Sequence, residues 1–519
     1  MARSFNTTGP CIPGEHYMLP PERRLERVQQ LIEQRKYFTL HAGRQTGKTT
    51  SLMWLEQHLA STGRWRAVWI DLETAREQPD PRVALPVILS ILDRTLRLRH
   101  PDLARPDAAD IAAALATPET ALLHYLGRLA ALDDRPLVLL LDEADGLVGP
   151  AMVSVLTQLR HGYIERSQTP FASSVVLVGQ RQVRDFALDA EDHRALSWLG
   201  TTSPFNITAE AILLGPFTLP EVAELLAQHT ADTGQRFEPV AIRRIWELAQ
   251  GHPWLTNALA DQIINRDVQD RSLPILAMHV DAAKDTLILE RRSHIDSLVA
   301  RLREPRVRRI LEPMLAGTRL PSDLLDDDLS YVLGLGLVRA EHGELQIANP
   351  IYREVIPRAL TWTQQISIHE PTEWYVRADG TLDLPKLMSA WQAFWRKDGH
   401  LAAEGFGYRE AGPHLMLMAF LQRVVNGGGR VEREYGLGRG ALDLMIFWKA
   451  ERYAIEVKIP RDTETETDAL DQVIRYLDRA GLAEGWLVMF DLRKELPWTE
   501  RLFLRDAKHA GRTIRVVGC

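Results

Sequence analysis

Residues 37–59 read YFTLHAGRQTGKTTSLMWLEQHL: a short apolar run, a glycine-bearing turn, then apolar residues at helical spacing. A strand passing through a glycine turn into a helix is the building unit of a parallel, helix-flanked sheet, so this stretch restricts the fold more than any other. The turn fits G-x-x-x-x-G-K-[ST] except that Ala42 stands where the first glycine would be. Alanine serves there if its backbone angles suit a non-glycine residue. Residues 42–50 (Ala42, Gly43, Arg44, Gln45, Thr46, Gly47, Lys48, Thr49 and Thr50) are therefore expected to cradle phosphates as a P-loop. Backbone N–H groups and the helix N-terminus do the cradling, Lys48 reaches the β and γ oxygens, and Thr49 holds Mg2+.

A second stretch, RPLVLLLDEADGL, supports the first. Five consecutive apolar residues, Leu137 to Leu141, predict a strand buried on both faces. It ends in Asp142 and Glu143, and two carboxylates closing a buried strand are costly unless they have work to do. Asp142 is placed to hold Mg2+ through water and Glu143 to orient or deprotonate the attacking water. Asp145 is expected to be a solvated or helix-starting residue. Further strands are predicted at 66–73, 173–180 and 211–217, alternating with helical segments as in a doubly wound sheet. Gln180 follows the fourth strand, where a polar side chain can sense the terminal phosphate. Arg184 and Arg194 follow it too, as candidates for an arginine acting on a neighbouring copy. A capping box at Thr218 and Glu221 starts one helix, and Gly251-His252-Pro253 ends one helix and starts the next.

Composition sets the outer limits. A chain of 519 residues exceeds what one core can organise, and about three or four domains is the expectation. Two cysteines, Cys11 and Cys519, cannot build a disulfide framework or a cysteine-rich zinc site. The sequence offers neither a membrane-spanning apolar run nor a signal-peptide core, so a cytoplasmic location is expected. The net charge of −7 is no footprint of a nucleic-acid binder, and residues 371–519 hold 22 basic against 22 acidic residues. Any DNA contact must then be local, and Arg301, Arg303, Arg306, Arg308 and Arg309 form one candidate patch.

The motifs AGRQTGKTT and LVLLLDEAD, with the G-x-P turn at Gly251–Pro253, make residues 1–285 resemble the AAA-like, STAND-type P-loop ATPases. The resemblance implies an ATP- and Mg2+-binding core over 1–215 and a helical lid over 216–285 in which Pro253 reports the bound nucleotide. It also implies that the lead-in GPCIPGEHYMLP lies along the base, with Pro10, His16 or Tyr17 near adenine. Residues 286–362 look like a winged helix. Its second helix carries SDLLDDDLSYVL, too acidic for a DNA groove, which favours a structural and regulatory role.

The last part, 363–519, is read as a polar connection (361–385), a helical lead-in and a further α/β domain. In YAIEVKIPR, Glu456 and Lys458 stand two apart on a strand and so share a face. Asp443 lies 13 residues earlier, a separation that suits a hairpin bringing the carboxylates together. Two acidic oxygens and the Val457 carbonyl suit Mg2+, and Lys458 beside them can position or deprotonate a water. The order Glu410, Asp443, Glu456-Val457-Lys458, Gln472 resembles the PD-(D/E)XK nucleases, with His414 added by an E-x-x-x-H start. The proline of the family's PD is absent, since the chain has Leu442-Asp443. The architecture expected is thus an α/β multidomain protein: a P-loop parallel-sheet ATPase core with helical lid, a winged helix, and a C-terminal PD-(D/E)XK nuclease-like domain. Together the resemblances imply a homo-oligomeric, ATP-governed, Mg2+-dependent nuclease for DNA in prokaryotic defence against phage or plasmids. Two other readings stay open: a STAND-like switch, or an accessory DNA-binding ATPase for transposition or repair, either carrying an inactive nuclease-like domain.

Overall fold

The computed structural model describes residues 3–179, 208–290, 293–315, 320–322, 326–360, 374–399, 411–426, 429–436, 441–459, 466–493 and 496–519. The chain divides into two compact units, Met1–His294 with Leu324–Arg339, and Ile295–Asp323 with Ala340–Cys519.

The first unit is built on five strands: β1 (Tyr37–His41), β2 (Arg66–Asp71), β3 (Leu137–Asp142), β4 (Ser174–Gly179) and β5 (Thr208–Leu213). They pair in parallel in the order β2-β3-β4-β1-β5. Every residue of β1, β3 and β4 is buried, as continuous apolar runs between two helical layers require. At the sheet's margin β5 alternates half-buried and exposed positions. It starts earlier than 211 and stops at Leu213, two residues before Gly215 and Pro216, and Pro216 has no N–H to offer a ladder. Two apolar clusters fill the two sides. One is centred on Leu85, Leu89, Tyr125 and Leu139, the other on Leu31, Phe38, Leu52 and Val176.

Beyond the sheet, the capping box forms as expected: Glu221 N–H donates to Thr218 Oγ1 at 3.4 Å and Thr218 N–H to Glu221 Oε2 at 2.7 Å. The helix Pro239–Ala249 ends before Gly251, whose φ is +72°, and Pro253 opens the helix Pro253–Gln262. Between 286 and 362 come helices Ser293–Arg301, Pro305–Leu315 and Asp327–Gly334, the hairpin of β6 (Val338–Glu341) and β7 (Glu344–Ile347), and the helix Pro350–Leu360.

The second unit carries a mixed six-stranded sheet: β8 (Arg430–Gly436), β9 (Ala441–Trp448), β10 (Glu451–Lys458), β11 (Glu484–Met489), β12 (Phe503–His509) and β13 (Arg512–Gly518). Their order is β12-β13-β11-β10-β9-β8, with β10, β11 and β13 parallel and the outer pairs antiparallel. The amphipathic helix Glu466–Ala480 covers one face through Ala469, Val473 and Leu477. Residues 374–383, expected to be an open connection, instead pack on the β9–β10 hairpin. Tyr375 is buried against Trp448, Trp448 Nε1–H donates to Gly380 O at 3.0 Å, and Leu382 N–H donates to Glu451 Oε2 at 3.1 Å. The hairpin needs that cover because its own face is aromatic. Residues 361–373 of the expected connection lie outside the described residues.

Candidate functional site

The turn after β1 wraps around its own lysine. Lys48 Nζ donates to Ala42 O at 3.0 Å and Gly43 O at 2.9 Å, and Thr46 Oγ1–H donates to Gly43 O at 2.8 Å. Ala42 has no left-handed backbone, which is why it replaces glycine without strain, whereas Gly47 has φ +90° and caps the helix Lys48–Ser61. Gln45 also takes φ +57°, a conformation uncommon for a side-chain-bearing residue and one that favours function as its cause. Gly43 answers to a different demand. A Cβ there would meet the Leu335 carbonyl oxygen at 2.9 Å, so the chain just after the helix Asp327–Gly334 rests on the P-loop backbone.

Parallel pairing sets the acidic side of the site. β3 delivers Asp142 to the sheet's C-terminal edge beside Asp71, and Asp142 Oδ2 accepts from Thr49 Oγ1–H at 2.9 Å. Asp142 Oδ1 accepts the Glu143 N–H at 3.0 Å, which turns Glu143 into a left-handed φ of +50°. Glu143 Oε2 then accepts from Arg76 Nη2–H at 2.8 Å. Burial pushes the Asp142 and Glu143 carboxyls up, Glu143 further through Asp145, and pushes the Lys48 amine down against the pull of Glu143 and Asp142. Buried charges of opposite sign held this close are costly to assemble and suit a site that must meet phosphate and a divalent cation. Asp145 is half-buried and lies in the first turn of a short helix, in line with one of the two expectations for it. It sits within the 3-10 turn Ala144–Gly146 and its carboxylate packs at the end of β4, where a Cβ on Gly179 would meet Oδ1 at 2.8 Å.

These groups line a cavity of about 440 Å³ bounded by Arg44 to Thr50, Glu73, Arg76, Glu143, the lead-in (Asn6, Thr7, Gly9, Pro10, Cys11) and the lid (Pro253, Trp254, Asn257). The lead-in is tied to the lid, where Trp254 Nε1–H donates to Thr7 O at 2.8 Å, and to the helix after the P-loop, where Cys11 N–H donates to Thr50 Oγ1 at 3.0 Å. Of the three lead-in residues expected near a base, Pro10 lines the cavity. Tyr17 is buried elsewhere, against Phe5 and His229, and His16 Nδ1 accepts the Ile12 N–H at 2.8 Å. Gln180, Arg184 and Arg194 lie outside the described residues.

A second polar cluster lies in the C-terminal sheet. Antiparallel pairing of β9 with β10 matches Leu444 to Ile455, which sets Asp443 beside Glu456, and Asp443 Oδ2 accepts the Val457 N–H at 2.8 Å. Glu456 is 1% exposed. Its Oε1 takes a hydrogen bond from Gln472 Nε2–H at 2.5 Å and stands 3.3 Å from Lys458 Nζ, while Oε2 is buried with no hydrogen-bond partner among the described residues. Burial first, and Asp443 second, push the Glu456 carboxyl up to about 8. Gln472 comes from the helix Glu466–Ala480 and also reaches Tyr476 Oη at 3.2 Å. The structure therefore brings together Asp443, Glu456, Lys458 and Gln472. Glu410 lies outside the described residues, and His414 stands in the first turn of the helix Ala411–Asn426, which packs on β8. Among the described residues no three His, Cys, Asp or Glu side chains gather as a metal site.

The sequence profile of the AAA-like domain family matches residues 14–356. The chain belongs to the AAA-like family. None of the curated proteins matches it. Solved structures similar to it include a Walker-type ATPase of Pyrococcus abyssi, at 15% identity and a TM-score of 0.48, spanning 68% of this chain and 99% of that one. Another is the Aeropyrum pernix Orc1 protein in complex with DNA, at 15% identity and 0.36, spanning 69% and 96%. A third is the RuvB Holliday junction branch migration motor of Thermotoga maritima, at 12% and 0.33, spanning 68% and 96%. Among the described residues no helix is long and apolar enough to cross a membrane.

As an AAA-like ATPase domain, the first unit binds and hydrolyses ATP with Mg2+. Within this domain Lys48 is held by the Gly43 carbonyl and Thr49 by Asp142, so the loop's own bonds set where the amine, the hydroxyl and the carboxylate stand. Three residues of this ATPase site carry no sequence motif. Arg76 reaches the cavity from the end of the 3-10 turn Glu73–Ala75 and Asn257 from within the helix Pro253–Gln262, while Arg24 Nη1–H donates to Thr46 O of the loop at 3.4 Å. Asn257 Oδ1 is buried without a partner among the described residues, a polar atom available to a nucleotide.

Proposed function

We propose that this AAA-like ATPase governs a Mg2+-dependent nuclease activity in its C-terminal sheet, with DNA as substrate. The observation that carries the proposal is the state of Glu456: a carboxylate buried to 1% exposure beside a second acid, with one oxygen unpartnered among the described residues. A structural ion pair would satisfy both oxygens, because an unsatisfied buried carboxylate oxygen costs more than it returns. A divalent cation would satisfy it.

The donor set fits such an ion. The Lys458 carbonyl faces β11, where it accepts the Phe490 N–H at 2.8 Å. By strand alternation the Val457 carbonyl faces β9, where pairing with β10 stops at Leu444–Ile455. Asp443, Glu456 and that carbonyl are hard oxygen donors of the kind Mg2+ takes while keeping several waters. Bound there, Mg2+ would supply positive charge to a phosphodiester and favour ionised water. This chain's own groups do the rest. Lys458 balances phosphate charge and holds or accepts a water proton. Gln472 fixes the orientation of Glu456, and Asp443 stays aimed through its bond to the Val457 N–H. DNA as substrate, prokaryotic defence as the setting and homo-oligomeric action come from the family resemblance of the motif order.

In the same reading, residues 286–362 form a winged helix that serves the ATPase rather than a DNA groove. The close approach of the Leu335 carbonyl to Gly43 supports this, since nucleotide in the P-loop would act directly on that contact.

The test is cleavage of plasmid and linear DNA with Mg2+. Wild type is expected to cleave, and Lys458→Ala and Glu456→Gln to lose at least about 100-fold of the rate, the scale set by losing a positioned proton-transfer group. Equal cleavage by all three would remove the C-terminal site from the reaction.

A further inference from the structure

Arg76 follows the 3-10 turn Glu73–Ala75 that closes β2, and no sequence motif points to it. It nevertheless lines the nucleotide cavity with Lys48, Thr49 and Glu143. Its Nη2 holds Glu143 Oε2 at 2.8 Å, and its Nε is buried with no hydrogen-bond partner among the described residues. Its stem lies flat on the turn that follows β3: a Cβ at Gly146 would stand 3.4 Å from Arg76 Cβ and 3.5 Å from Nε, and Glu77 N–H donates to Gly146 O at 3.0 Å. The guanidinium is thus fixed in place, partly paired, and beside the residue expected to activate water.

We propose that Arg76 is the in-chain arginine that reads the terminal phosphate of ATP, and that it does so in competition with Glu143. A guanidinium presents five donors in a rigid fork and binds phosphate oxygens in pairs. With two groups of like charge, Glu143 and the terminal phosphate, sharing one cation, binding of the phosphate loosens the hold on Glu143. The general base is then free at the moment its substrate is present. ADP lacks the competing group and leaves the Arg76–Glu143 pair intact. Arg76 would touch the nucleotide itself and, through Glu143, position the attacking water. This assignment needs only the ATP site and stands apart from the nuclease reading.

The experiment measures ATP and ADP affinity and steady-state hydrolysis in the full-length chain for wild type, Arg76→Gln, Glu143→Gln and the double variant. Arg76→Gln keeps a hydrogen-bonding side chain of similar reach without the charge. Arg76→Gln is expected to weaken ATP binding about tenfold, the equivalent of about 1.4 kcal/mol, while ADP binding changes less than about twofold. Glu143→Gln removes the competitor, so ATP binds more tightly than to wild type, and that gain disappears in the double variant. Retained ADP binding certifies that each variant is folded. If Arg76→Gln weakens ATP and ADP equally, or the gain in Glu143→Gln survives in the double variant, Arg76 is only a strut and the proposal fails. An Arg76→Gln chain that binds neither nucleotide is examined through Arg76→Lys. There the proposal requires ATP to be weakened while ADP is held, and equal loss of both again overturns it.

Discussion

Glu456 shows what one carboxylate loses by leaving water. The carboxyl is raised to about 8, first by burial and then by Asp443, so the folded chain keeps a proton that the unfolded chain gives up near the ordinary glutamate value. Stability from this group is therefore full below pH of about 4, declines as pH rises, and is gone above about 8. Glu456→Gln removes the titrating group while keeping its shape. In chelator-treated protein, denaturant unfolding should show wild type losing stability from pH 5.5 to 8.5 by more than Glu456→Gln does. Parallel pH profiles would mean that the carboxyl is not held neutral. The i and i+2 relation of Glu456 and Lys458 was legible because a strand's period is exact, and 13 residues to Asp443 left room for one hairpin. Arg76 and Asn257 were not legible. Each is an unremarkable polar residue locally, and only parallel pairing of β2 with β3 and the docking of the lid helix bring them to the P-loop cavity.

At the scale of elements, the Gly251–Pro253 turn is the tightest joint in the ATPase unit. Gly251 has φ +72°, a Cβ there would lie 1.9 Å from the Phe217 carbonyl oxygen, and the Phe217 N–H donates to Gly251 O at 2.8 Å. Both the backbone conformation and the space exclude a side chain. Gly251→Ala should therefore destabilise the lid by about 2–4 kcal/mol, seen as a lowered unfolding midpoint with weakened ATP binding. An unchanged midpoint would show that the turn relaxes freely. This joint was readable because glycine and proline act locally on the chain. The packing of residues 374–383 on the β9–β10 hairpin was hidden, since polar, turn-rich composition signals a loop without telling what the loop covers. The edges of β5 were misjudged for a related reason: apolar content suggested a strand through 217, yet the ladder stops before Gly215-Pro216.

For the whole molecule, the net charge of −7 with a neutral stretch over 371–519 means that long-range attraction for nucleic acid is weak. If DNA is the substrate, as proposed, its capture rests on local contacts and on whatever nucleotide does to the ATPase unit. That unit was largely written in the sequence, because the P-loop, the strand ending in Asp142-Glu143 and the G-x-P turn are short motifs with fixed mechanics. The mixed sheet of the second unit was legible only at its centre, where Asp443, Glu456, Lys458 and Gln472 follow one another on the right elements. In the proposed function, ATP at Lys48 controls chemistry at Lys458. Plasmid cleavage with Mg2+, with and without ATP, in wild type and Lys48→Ala decides whether it does. Nucleotide-dependent cleavage is expected in wild type and a rate indifferent to ATP in Lys48→Ala. Cleavage that responds identically to ATP in both proteins would contradict it.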